Sequence, residues 1–365
     1  MLYRHFSRWS ELSLAIATEP AQCLIGEQII EIRANQLLSR LTKTRIGRLA
    51  HSIRQCFDGF YDLSKLRQQL QHKKPELILT VAHGELCWCA QYIAQTYRIP
   101  LITFFHDWWP DLAYVHSWTR VILERRFKQL YQHSQLAFCV TEAMRQRLGG
   151  HQNARVLFPI PDQFMLDKSQ QVKTQEEHFK LIYAGNLSGI YKPMLLSLCK
   201  LLPGISELKL KLFGLPPDWT ELPVQQLQVQ KIYGGFIPRK MLIYELCQAS
   251  ALLLTMSFDQ REQKRTQMSF PSKLVEYCQF GKPIIIWGPD YCSAVQWGRQ
   301  YESALVVTSP SAKDLVEAIK ELAHKPLEQK RLGDKASQMA RGMFNPEKIQ
   351  QQFIESIQQI SGIKG

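Results

Sequence analysis

Two kinds of hydrophobic run alternate along this chain. Short blocks such as ELILTV (76–81), PLITFF (100–105), LAFCV (136–140) and ARVLF (154–158) show little polar alternation and read as strands buried on both faces. LSLAIAT (12–18) reads as a further strand at the front. Between the later blocks, residues 84–97, 119–132 and 142–148 carry apolar positions at helical spacing. Strands alternating with helices predict a parallel sheet covered by helices.

After Pro161 the pattern stops. Residues 164–178 are polar and poorly periodic, which predicts a linker. Then the alternation restarts. KLIYAG (180–185), LKLKLFG (208–214), IYGGFI (232–237), ALLLTM (251–256), PIIIWG (283–288) and ALVVT (304–308) read as strands. Helical stretches are expected at 194–202, 239–247, 292–300, 312–323, 327–341 and 346–360. The fold class is therefore α/β, with two Rossmann-like, doubly wound domains in tandem: residues 1–163 and 179–345. A closing helix at 346–365 is a candidate for packing back on the N-terminal domain. Ligands of such folds sit at the carboxyl ends of the strands, or in the cleft between two such domains.

One segment carries more polar chemistry than its helix needs. In SFPSKLVEYCQFGKPIII (269–286), Pro271 suits a first helical turn and Gly281 with Pro283 a stop. Leu274, Val275 and Cys278 supply an apolar face. Ser272, Lys273 and Glu276 gather at the start, three and four residues apart. A helix N-terminus is an anion site, to which Ser272 adds a hydroxyl and Lys273 a charge. Glu276 lies about one turn (~5.4 Å) further along, suited to a ribose diol if phosphates sit at the helix start. The bland alternative is a set of surface residues. In YAGNLSGIYK (183–192), Gly185 permits close backbone approach, and Lys192 is placed to meet a diphosphate from the other side. In ITFFHDWWPD (102–111), His106 and Asp107 follow a strand in the first domain, and Trp108 or Trp109 offers a sugar an apolar platform. A helix cap and a buried histidine are the alternative there.

Composition narrows the setting. With 45% hydrophobic and 21% charged residues in 365, the chain is globular, and no apolar run approaches the ~20 residues of a membrane span. MLYRHFSRWS lacks the apolar core of a secretory signal, so a cytoplasmic location is expected. Nine scattered cysteines without a CxxC argue against a zinc site or disulfide framework. The net charge of +13 is shared, with an excess of 7 in residues 1–163 and 6 beyond. Residues 32–57 contain no acid, while Arg33, Arg40, Lys43, Arg45, Arg48 and Arg54 interleave with Leu37, Leu38, Leu41, Ile46, Leu49 and Ile53. That pattern reads as a basic amphipathic helical segment. It is either a solvated face or a peripheral contact with anionic lipid at the inner face of a membrane. No nucleic-acid motif accompanies the charge, so nucleic acid is not expected as a partner.

With these residues in hand, the chain resembles the retaining glycosyltransferases of the GT-B fold, family 4 type, also called group 1. YAGNL, GGFIPRKMLIYELCQASALLLTM and FPSKLVEYCQFGKPIIIWG carry the resemblance in order and spacing, with VTEAMRQRL, VLFPIPD and FFHD in the first half. It implies two facing domains and a nucleotide diphosphate sugar bound mainly by the second, with no metal or other cofactor. It further implies Glu276 on the ribose, and Ser272 with the amides of Lys273 and Leu274 on the diphosphate. Lys192 would face the leaving phosphates, His106 the donor sugar, and Gly235 with Phe236 the base. Gly185 and Asn186 form the donor-side turn.

The chain departs from that family in three places. Met268 stands where a first glutamate often stands, and Asn186 where an arginine often follows the turn glycine; Arg239, Arg261 and Arg265 are candidate replacements. The first strand and its glycine turn are expected to be missing, because MLYRHFSRW reads as the helix after them. The expected reaction is hexose transfer to a carbohydrate or lipid-linked hydroxyl with retained configuration. A non-catalytic nucleotide-sugar binder or partner subunit is the alternative, and a nucleotide-sugar epimerase a weaker one.

Overall fold

The computed structural model describes residues 3–6, 9, 15–18, 28–57, 61–162 and 178–361. The chain divides into two compact units, Met1–Ile160 with Ile349–Gly365, and Pro161–Lys348. The expected linker lies almost wholly outside the described residues, as do positions 12–14 of the expected first strand.

In the first unit the continuous apolar runs form a parallel four-stranded sheet in chain order: β5 (Ile78–Val81), β6 (Leu101–Phe105), β7 (Leu136–Cys139) and β8 (Ala154–Val156). β6 and β7 are buried at every position, as expected of strands covered on both faces. The helix Glu142–Leu148 starts where the sequence places it, because the Thr141 hydroxyl caps it by accepting from the Met144 amide at 3.0 Å. Ahead of this sheet, β1 (Ala15–Thr18) pairs in parallel with β2 (Gln28–Glu31), and β3 (Arg33–Ala34) pairs antiparallel with β4 (Tyr61–Asp62). β3, at residues 33–34, thus corrects the reading of residues 32–57 as a wholly helical basic segment. The helices there are Gln36–Leu41 and Gly47–Cys56, and the side chains of Leu37 and Leu38 lie outside the description. Most of the closing helix Pro346–Ser361 belongs to this unit: Phe353 packs on His5 and Phe138 at 4.9 and 5.4 Å, and Arg155 donates to the Ser356 hydroxyl at 3.1 Å.

The second unit is a six-stranded parallel sheet built from β9 (Phe179–Ala184), β10 (Leu208–Phe213), β11 (Tyr233–Gly235), β12 (Ala251–Thr255), β13 (Ile284–Trp287) and β14 (Leu305–Val307). Its order is β11-β10-β9-β12-β13-β14, so the winding reverses between β9 and β12. A crevice opens at such a reversal, because connections leave the two strands toward opposite faces. β12 and β13 are buried throughout, whereas β10 alternates, with Lys209 exposed. Tyr183 and Trp287 are fully buried at the centre of this core. Among the described residues no cysteine is bridged and no helix is long and apolar enough to cross a membrane.

Candidate functional site

At the carboxyl ends of β9, β10 and β11, a cavity of about 540 Å³ opens beside the helix Ser272–Cys278. Gly185 and Asn186 follow β9, Gly214 follows β10, and Gly235 with Phe236 closes β11. Lys273, Glu276 and Tyr277 reach it from the helix, and Ile237, Leu242, Leu246 and Phe280 give it an apolar wall. It sits at the winding reversal, where the end of β9 meets the helix that leads into β13.

The anchor between strand and helix is Tyr277. Its buried hydroxyl accepts from the Ala184 amide at 3.0 Å, fixing the helix start against the end of β9. Next to it, Gly185 has φ +147°, a backbone state favouring glycine, and a Cβ there would strike the Lys273 ammonium. The absent side chain is what lets Lys273 lie across the turn. Its Nζ donates to the Tyr183 hydroxyl at 3.0 Å and stands 4.2 and 5.3 Å from the Tyr183 and Tyr191 ring centres. Burial drives the Lys273 pKa down to about 7, and the Glu276 carboxylate opposes that shift. The Tyr183 hydroxyl in turn donates to the Asn186 carbonyl at 2.8 Å, which ties the lysine to the turn.

Six residues singled out in the sequence therefore line one cavity: Gly185, Asn186, Gly235, Phe236, Lys273 and Glu276. Asn186 is exposed and its side chain accepts from the Ser188 amide, while Phe236 is 75% exposed at the rim. Others lie elsewhere. Ser272 is exposed outside the lining, and Leu274 is fully buried with its amide donating to the Pro271 carbonyl at 3.0 Å. Lys192, at the start of the helix Lys192–Leu201, is ion-paired with Glu221 at 3.0 Å. Of the candidate replacement arginines, Arg239 lines the cavity and pairs with Asp162, whereas Arg261 and Arg265 pair with Asp259 and Glu262. Met268 is buried away from the cavity lining.

The first unit holds a second polar cluster. His106 Nε2 lies 3.4 Å from Asp107 Oδ2, and His83 stacks on His106 with ring centres 5.2 Å apart. Burial lowers the His106 pKa, His83 adds to the drop, and Asp107 opposes it. The imidazole is thus largely neutral near pH 7, able to accept or donate one hydrogen bond. Trp108 is fully buried and offers no platform; Trp109 is half-buried against His83 at 4.2 Å.

Sequence reasoning missed Tyr183, Tyr277 and Gly214. It treated Lys273 as a charge at a helix end and a backbone amide, not as a side chain laid across Gly185. Only the tertiary contact that brings the Tyr277 hydroxyl to the Ala184 amide exposes that arrangement.

A doubly wound sheet with a glycine turn, a cation and a carboxylate at its switch point defines a nucleotide-binding class of domain. Two family models match the chain: Glycosyltransferase Family 4 over residues 36–157, and Glycosyl transferases group 1 over residues 166–339. The chain belongs to this family and has its GT-B fold; it is a nucleotide-sugar-dependent glycosyltransferase. No curated protein matches it. Among solved structures it is similar to sucrose-phosphate synthase from Thermosynechococcus elongatus, with a TM-score of 0.64 and 15% identity over 98% of this chain and 91% of that one. Anabaena HepE in complex with UDP-glucose gives 0.60 and 16% over 81% and 82%. A trehalose-phosphate synthase from Burkholderia vietnamiensis gives 0.57 and 11% over 88% and 80%.

Proposed function

We propose that the protein transfers a hexose from a nucleoside diphosphate sugar to an acceptor hydroxyl with retention of configuration, and without a metal. The acceptor is a carbohydrate or lipid-linked chain in polysaccharide or glycolipid biosynthesis. The observation that carries this reading is the convergence of Gly185, Lys273 and Glu276 on one cavity at the switch point of the second unit's sheet. Glu276 takes the ribose diol, Gly235 and Phe236 bound the base, and the glycine turn with Lys273 takes the diphosphate. Ser272 and the amides of Lys273 and Leu274 add donors at the helix start. Lys192 neutralises the leaving phosphate after exchanging Glu221 for it, while His106, oriented by Asp107, contacts the donor sugar. Charge stabilisation on the departing diphosphate supplies most of the catalysis.

The work takes place in the cytoplasm. We infer a peripheral contact with anionic lipid at the inner membrane face, because residues 32–57 lack any acid.

HepE was solved with UDP-glucose, which makes that donor the first to try. The chain is expected to be stabilised by its donor nucleotide in a thermal-shift series over uridine, guanosine and adenosine diphosphates. It is also expected to hydrolyse the matching nucleotide sugar slowly without acceptor. Binding without any turnover would select the non-catalytic homologue, a reading that Asn186 and the buried Met268 favour. Glu276→Ala is expected to weaken nucleotide binding by about 1.5–3 kcal/mol with folding nearly unchanged. Unaltered affinity in calorimetric titration would remove Glu276 from the ribose.

A further inference from the structure

The helix Ser117–His133 carries two apolar stripes, and the core of the first unit uses one of them. Thr119, Leu123, Phe127, Leu130 and Tyr131 are buried at core-facing helical spacing. On another face, Trp118, Val121 and Ile122 stand at i, i+3 and i+4 and are 54%, 66% and 38% exposed. Arg125, at i+7, is exposed as well. Just ahead of the helix, Tyr114 is 66% exposed.

The helix Gly47–Cys56 packs alongside and extends this surface. Arg48 Nε donates to the Val115 carbonyl, the His116 amide to the buried Ser52 hydroxyl, and Arg126 to the Gln55 carbonyl, each at 2.9 Å. His51 meets the Tyr114 ring edge-on at 5.8 Å. Ile46 and Leu49, at the start of that helix, are exposed, and so are the basic residues Arg45, Arg48 and Arg120. Residues 32–57 contain no acidic residue, and on the helix Ser117–His133 the single acid, Glu124, is paired with Lys128 at 3.3 Å. Arg54 stands apart from the set, held by Glu85 at 2.6 Å.

An exposed stripe with a tryptophan, a nearby tyrosine and arginines but no acids has the composition of a membrane-interface helix. We propose that this face docks on an anionic lipid bilayer, with Trp118, Val121 and Ile122 entering the headgroup–acyl boundary and the arginines pairing with lipid phosphates. The inference rests on the membrane contact proposed above for its charge, and adds an apolar anchor on a helix outside residues 32–57. A second copy of the chain fits less well. A twofold contact through this face would set arginine against arginine, and Glu124, the single acid of the helix, is already paired with Lys128.

Sedimentation of the full chain with phosphatidylcholine vesicles, and with vesicles containing phosphatidylglycerol, tests this. The chain is expected to sediment with the anionic vesicles and to be released by salt. The triple variant Trp118→Ser, Val121→Ser, Ile122→Ser keeps every charge and is expected to bind those vesicles about tenfold or more weakly. Its melting temperature should be unchanged, because all three side chains are exposed. Arg45→Glu with Arg120→Glu is expected to lose binding too. Full binding by the triple variant, with loss in the charge variant, would overturn the anchor and leave a purely electrostatic contact. Absence of wild-type sedimentation with either vesicle would overturn both proposals. A dimer abolished by the triple variant, without vesicle binding, would overturn the inference in favour of a second copy.

Discussion

Lys273→Met is expected to weaken nucleoside diphosphate binding by about 2–4 kcal/mol, roughly 30- to 1,000-fold, because it removes a partly desolvated cation from the end of the cavity proposed to take the diphosphate. Met is unbranched and of similar length, so it can lie across Gly185 between the Tyr183 and Tyr191 rings as the lysine stem does. The fold should survive. The distinctive part of this prediction is its pH dependence. The Lys273 pKa stands at about 7 in the free protein, against 10.5 ordinarily, with burial as the main cause and Glu276 in opposition. Above that pH much of the free protein carries a neutral amine. A bound diphosphate favours the ammonium, so binding takes up a proton, and affinity should fall as pH rises above about 7. Of the groups facing the amine, the Tyr183 and Tyr277 phenols are pushed up by burial, away from that range. Stability of the free protein carries the opposite sign: between pH 7 and 10.5 the unfolded chain holds the extra proton, so this residue makes stability rise with pH. Lys273→Met should abolish both slopes. Calorimetry in buffers of different ionisation enthalpy measures the proton uptake directly. A wild-type affinity independent of pH from about 6 to 9 would exclude this coupling.

Much of this fold was legible because buried parallel strands have an unmistakable composition. IIIW at 284–287 and ALLLT at 251–255 can hardly be anything else, and the structure buries both in interior strands of the sheet. Polar helices fared worse. Val224–Val229 and Gln263–Met268 contain too few apolar positions for a period to register, and Ser64–His72 buries only Leu70. The exposed stripe at Trp118, Val121 and Ile122 escaped for a related reason. Apolar residues on every side of 117–133 make its period ambiguous, and only burial separates the two stripes. At the site, the sequence located residues that meet in the cavity but not the contacts between them. Ninety residues separate Tyr183 from Lys273, and their hydrogen bond depends on the Tyr277 hydroxyl holding the helix to the end of β9. Neither local propensity nor motif spacing encodes that.

Two glycines at the same edge of the cavity should respond to alanine in opposite ways. In Gly185→Ala the new methyl meets the tip of the Lys273 side chain, a group that can swing aside. Folding then loses only the strain of a non-glycine residue at φ +147°, on the order of 1–3 kcal/mol. The displaced ammonium, however, leaves the Tyr183 hydroxyl and the cavity, so nucleotide binding should fall about as far as in Lys273→Met. In Gly214→Ala the methyl meets the Gly185 carbonyl, which belongs to the backbone and cannot swing. The Gly185 amide already donates to the Phe213 carbonyl at 2.8 Å and the Gly214 amide to the Gly235 carbonyl at 3.1 Å. Relief therefore requires prying apart the ends of β9, β10 and β11. The expected loss of folding stability is larger, about 3–5 kcal/mol, within the range that marks a core backbone clash. Urea denaturation of both variants, paired with nucleotide titration of the folded fraction, reads out the two effects separately. A Gly185→Ala protein with wild-type affinity would mean that Lys273 does not act from its place across the turn. Equal and small stability losses in the two variants would mean that the strand ends are looser than their hydrogen bonds imply.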